Sequence, residues 1–369
     1  MNAAGNSWEP QRENPSYDWL RSHSMAAIGG SYAWPALTFS SDGEFIQLRL
    51  ESETQPDVSA VRYLRDVTID IPAAHFEQAV DKFLNDVEAR LVLRVPNGRE
   101  LIELRDELRA ERQTAQLSTV CRLQALAGLD PGTATDDWVR LANALKEKAG
   151  GTAVEEILAV APELQGGLVA ADSAISAMID SKTTVNLEWA AIKQGTAPAG
   201  EIPWARGARL AQELRERANM PSGPLMIDTL EQLLGARLPL PKSVWAGQRK
   251  LLGGYRNGTT NGRTAVLVTK DREDSQRFYL ARLVAAACVS SADQHVLPVS
   301  ETFTAFQKFE RSFAQEFLCP WQDLDTFTDE CGTDEDGIAA AAERFIVSER
   351  LVLLTLVNRG KIPRNRLQV

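Results

Sequence analysis

The run RFYLARLVAA at 277–286 constrains this chain more than any other stretch. Phe278, Leu280, Leu283, Val284 and Cys288 give it the pattern of an apolar helix. It follows a strand-like run at 264–269 (TAVLVT) and a charged turn at 270–276. An apolar helix directly behind a strand sets an α+β core in this part of the molecule.

With 369 residues, the chain is long for one core, and two domains are expected. Residues 1–125 read as a separate α+β domain. The apolar segments 37–39 and 44–50 flank Ser-Ser-Asp-Gly, a hairpin signal because Asp-Gly tolerates the positive φ of a tight turn. A further strand is expected at 67–71, then an amphipathic helix at 73–92 and a long charged helix at 100–127, stopped by Gly128 and Asp130-Pro131. Residues 126–200 read as a helical connector and linker, with a strand-like run at 183–187 and a Gly/Pro-rich break at 195–200. The second domain is expected at 201–369.

Three patterns in that last part carry a family likeness. The first is W-x-x-G-x-x-L-A-x-x-L-R, here Trp204, Gly207, Leu210, Ala211, Leu214 and Arg215. The second is R-F-x-x-A at Arg277, Phe278 and Ala281, reached through a strand and hairpin at 250–269. The third is F-A-x-x-F-L-x-P at Phe313, Ala314, Phe317, Leu318 and Pro320. In this order, and with an ending like VSERLVLLTLVNRGKIP, they resemble the ImmA/IrrE family of zinc-dependent endopeptidases over 201–369. The resemblance implies a zincin-like domain, a small sheet plus helices, following the N-terminal α+β domain and the helical connector.

In that family the R-F-x-x-A lead-in runs into H-E-x-x-H, where two imidazoles on one helix face hold zinc and a Glu activates its water. Here those positions hold Arg282, Leu283 and Ala286. An arginine cannot deprotonate to ligate a cation, and Leu and Ala offer no lone pairs. The histidines are three, His23, His75 and His295, and no two are spaced to replace the motif. The resemblance therefore implies a degenerate member that lacks the zinc chemistry, with no catalytic residues, no cofactor and no metal site. Its expected role is that of a pseudo-peptidase binding a protein partner, a regulator or another component of a stress, mobile-element, toxin–antitoxin or phage-defence system. The candidate groove residues are Arg277, Tyr279, Arg282, Glu310 and Glu316. The blander assignments are an Arg282 whose head reaches water and helix-surface charges at Glu310 and Glu316. Two alternatives are an active zinc endopeptidase with atypical ligands and a DNA-associated regulator.

A net charge of −10 counts against a general nucleic-acid or anionic-membrane binder. The cysteines Cys121, Cys288, Cys319 and Cys331 lack CxxC spacing, and Cys121 and Cys288 read as small buried hydrophobes. The N-terminus lacks the pattern of a signal peptide, and the most apolar runs are too short to span a bilayer, so a cytoplasmic protein is expected. The acidic run 329–337 lacks the ligand alternation of a calcium loop. Among the tryptophans, Trp8 and Trp19 stand out as interface anchors.

Overall fold

The structure, a computed structural model, describes residues 20–21, 23–29, 33–52, 61–94, 99–129, 132–150, 152–191, 200–243, 250–256, 262–291, 293–363 and 366. Trp8, Trp19, Asp130-Pro131, most of the break at 195–200 and the turn at 257–261 lie outside them. The chain divides into two compact units, 1–120 with 303–305 and 121–302 with 306–369. It is an α+β protein. Among the described residues no helix is long and apolar enough to cross a membrane.

In the first unit, β1 (Ala36–Ser41), β2 (Phe45–Glu51) and β3 (Val67–Pro72) form an antiparallel sheet in that order. The Asp42-Gly43 turn forms as expected. Gly43 has a φ of 98°, and the Asp42 carboxylate accepts from the amides of Glu44 (3.0 Å) and Phe45 (2.7 Å). The register lines Leu37, Leu50 and Val67, then Phe39, Leu48 and Ile69, on one face. There Phe39 meets Phe76 of α1 (Ala73–Arg94) with ring centroids 5.9 Å apart. The long charged helix is two, α2 (Arg99–Gln113) and α3 (Ala115–Leu126), interrupted at Thr114. The Thr114 hydroxyl donates to the Ala110 carbonyl at 3.1 Å, a back-bond that bends helices. A polar seam joins α1 and α2, with Arg105 bound to Glu88 (2.6 Å) and Arg112 to Asp81 (3.1 Å). Apolar side chains point outward instead, Phe83 at 65% exposure and Leu104 at 55%.

The second unit is built on an antiparallel sheet of order β4-β6-β5-β7, formed by β4 (Thr184–Asn186), β5 (Leu251–Arg256), β6 (Arg263–Val266) and β7 (Val296–Ser300). Around it lie α4 (Asp136–Ala149), α5 (Ala153–Val160), α6 (Gly167–Ile179), α7 (Pro203–Arg217), α8 (Ile227–Leu234), α9 (Glu273–Val289), α10 (Ala305–Leu318), α11 (Trp321–Cys331), α12 (Glu335–Phe345) and α13 (Glu349–Asn358). Described residues between 126 and 191 share the core of the later part of the chain. Leu145, Ile157 and Ile175 belong to the same apolar cluster as Leu214, Leu283, Phe313 and Val352. Gly253 shows why: a Cβ there would lie 2.5 Å from the Leu297 carbonyl and 3.1 Å from the Met178 thioether of α6.

Three elements position the candidate site. Helix α9 starts at Glu273, so the second half of the expected charged turn is helix, with Glu273 and Asp274 at its positive end. From Gln276 to Cys288 all its residues except Phe278 are buried. Helices α7 and α10 cross backbone to backbone at Gly207, and the Ser312 hydroxyl donates to the Trp204 carbonyl at 2.6 Å. Strand β7, which carries Pro298, was not expected. It lies at the sheet edge, where a missing N–H costs no ladder bond. The acidic run 329–337 is the junction of α11 and α12, and Asp334 caps α12 by accepting from Gly337 N at 3.0 Å.

Candidate functional site

The side chains expected to line an open groove are inside the second unit. Arg277, Tyr279, Arg282, Glu310 and Glu316 are each no more than 4% exposed. That corrects the groove assignment: a side chain removed from solvent on a helix buried nearly all round has no face to offer a partner. The blander assignments fail as well, since Arg282 does not reach water and neither Glu310 nor Glu316 is a surface charge.

Arg282 and Glu310 come together across α9 and α10. The Arg282 Nη2 stands 3.4 Å from Glu310 Oε2, donates to the Ser300 carbonyl at 2.6 Å and also donates to Gln307 Oε1. The outward edge of β7 absorbs the rest of this set. Gln307 acts like a neighbouring peptide group: its Oε1 accepts from Ser300 N (2.9 Å) and its Nε2 donates to Pro298 O (3.4 Å). Its Nε2 also donates to Glu156 Oε2 of α5 at 3.0 Å. Arg311 donates to the carbonyls of Ser300 (3.2 Å) and Thr302 (2.7 Å), and Gln294 Nε2 to that of Val296 (3.2 Å). The carbonyls of Val296, Pro298 and Ser300 and the Ser300 amide, the groups an added strand would need, are thus taken by side chains.

Burial dominates the electrostatics. It raises Glu310 well above the usual carboxylate range, with Arg282 opposing and Glu156 adding to the rise. It also lowers Arg311 to about 10, assisted by the neighbouring Arg282 cation. Both Glu310 oxygens and Arg282 Nε lack a hydrogen-bond partner.

The remaining three residues are structural. Arg277 donates to the Leu225 carbonyl at 2.5 Å, and burial lowers its affinity for its proton while Glu273 opposes. The Tyr279 hydroxyl donates to Gly253 O at 2.7 Å, and burial raises it far above an ordinary phenol. Glu316 Oε1 accepts from Gln212 (2.8 Å) and from the Trp321 amide at the start of α11 (3.3 Å), while Oε2 pairs with Arg359 (3.3 Å).

Glu156, Ser300, Gln307 and Arg311 were not expected here. One signal was available: Gln307, Glu310 and Arg311 are polar side chains clustered within a helix whose phenylalanines recur at 306, 309, 313 and 317. As for a metal, Leu283 and Ala286 supply no donor atoms, and Arg282 brings a fixed positive charge to the first position. Among the described residues no group of three or more His, Cys, Asp or Glu side chains is placed to hold an ion. The ring of His295 stands 6.4 Å from that of Tyr255, while its backbone ties Ala149 to Arg256. Comparison with protein-family models, curated proteins and solved structures returns no match.

Proposed function

We propose that this chain is a non-cleaving, protein-binding component built on an ImmA/IrrE-like, zincin-type scaffold, acting in the cytoplasm of a prokaryote as part of a regulatory or defence system. The observation that carries it is the buried contact between Arg282 and Glu310. At the helix position where an active relative would present its first zinc ligand, this chain has a guanidinium, held by the sheet edge and packed 3.4 Å from the Glu310 side chain of the next helix. A cation fixed there opposes a divalent ion by charge and by volume. The three sequence patterns support the scaffold assignment, since they fall on α7, α9 and α10, and α7 and α10 cross at the glycine of the first pattern.

Recognition then falls to exposed side chains. In the first unit Phe83 and Leu104 present apolar surface that the sheet and helices leave uncovered. Affinity capture with the full chain, wild type against Phe83→Asp/Leu104→Asp, tests this. The expected result is a defined protein held by the wild type and lost by the variant. Equal capture by both, or peptide hydrolysis by the wild type that a chelator stops, would overturn it.

A further inference from the structure

The hydrogen count at Arg282 leads beyond that function and does not depend on it. A guanidinium Nη2 carries two N–H groups. In this structure they go to the Ser300 carbonyl and to Gln307 Oε1. Neither is directed at Glu310, whose Oε2 is 3.4 Å from the same nitrogen and whose two oxygens, fully buried, have no hydrogen-bond partner; the Nε N–H has none either. An ionised carboxylate in that position has a cation beside it but no proton directed at it, a costly arrangement away from water. The charged and titratable groups around it are Arg282 and Tyr279 from α9, Glu156 from α5 and Arg311 from α10. Glu156 opposes its ionisation and the two arginines favour it.

We propose that Glu310 is a proton-operated latch on the outer edge of β7. With Glu310 protonated, Arg282 spends both Nη2 protons on Ser300 and Gln307, and the edge stays sealed as seen here. When Glu310 gives up its proton to solvent, the carboxylate draws to itself an N–H of Nη2, the Arg282 nitrogen in contact with it. Ser300 O or Gln307 loses a donor, and the seal loosens. No bond other than O–H is broken, and the net charge of the cluster falls by one.

Hydrogen exchange of the Ser300 amide, which donates to Gln307 Oε1 at 2.9 Å, reads the latch directly. In the full-length wild type its protection factor, corrected for intrinsic exchange, is expected to fall by roughly tenfold per pH unit once Glu310 begins to ionise, the slope of a single-proton linkage. In Glu310→Gln, which cannot ionise, it is expected to stay flat. Equal pH dependence in both proteins, or protection that rises with pH in the wild type, would overturn the proposal. If the variant fails to fold, infrared spectroscopy of the wild type decides: a carboxylic-acid C=O band persisting well above the ordinary glutamate range and fading together with Ser300 protection supports it. No such band, or a band that fades without loss of protection, overturns it.

Discussion

Gly207→Ala is a small change whose sign follows from geometry. A Cβ at 207 would lie 2.4 Å from Phe309 O and 2.9 Å from Phe313 N, where ordinary contact begins at 3.4 Å. The obstacle is backbone, so no side chain can turn aside, and α7 and α10 must part by 3.4 − 2.4 = 1.0 Å at the crossing. That strains the Ser312–Trp204 hydrogen bond (2.6 Å) and loosens the contacts of Phe309 and Phe313, both almost fully buried. Overpacking of this kind costs about 1–3 kcal/mol and at times more. Alanine returns about 1 kcal/mol in helix propensity. With backbone as the obstacle, the upper part of the cost applies, and a net loss of about 1–2 kcal/mol is expected. For a unit of this size that lowers the melting temperature by roughly 2–8 °C. Thermal unfolding followed by circular dichroism, with urea midpoints at unchanged slope as a check, measures it. A variant as stable as the wild type, or more stable, would refute the close crossing.

Other outcomes follow from the same structure. Arg215 donates to the carbonyls of Phe317 (2.7 Å), Pro221 (2.7 Å) and Gly223 (2.8 Å). Arg215→Met leaves them without that donor and is expected to cost about 2–4 kcal/mol in urea unfolding, whereas an unchanged midpoint would show that the bonds contribute nothing. Burial raises Glu310, so its proton stabilises the fold below the unfolded value near 4.5, and that contribution is lost as pH rises through the folded value. Accordingly Glu310→Gln should gain stability relative to wild type as pH rises from about 4.5, and a constant difference across that range would contradict the burial effect. Burial pushes the Cys288 thiol up to about 12 and Cys319 higher still, so a thiol reagent at neutral pH should label only Cys121 and Cys331 in the folded protein. Labelling of Cys288 or Cys319 before unfolding, seen by mass spectrometry, would show that the core opens.

Local rules were legible wherever one residue decides the backbone. Asp42-Gly43 fixed its hairpin, and Gly235 closes α8 in the left-handed region with φ 58°. The elements that depend on distant partners were not. Strand β7 depends on Gly253, which lets β5 lie against it and which VLPVS alone does not announce. The break at Thr114 falls in a stretch with no Gly or Pro to announce it. For the site, the strong apolar character of α9 already implied burial on every side, and a charged residue in such a helix belongs inside with a partner. Treating Arg282 as a groove residue gave too little weight to that rule. The separation of Glu310 from Glu316 by six positions did signal different faces: one reaches α9, the other the start of α11.

Whether α9 retains any metal chemistry is decided most directly on the full-length protein. It is equilibrated with zinc, freed of excess by gel filtration, analysed for the element, and incubated with protein substrates with and without a chelator. Far less than stoichiometric zinc, with no chelator-sensitive cleavage, is the predicted result. Stoichiometric zinc together with hydrolysis that the chelator stops would contradict it.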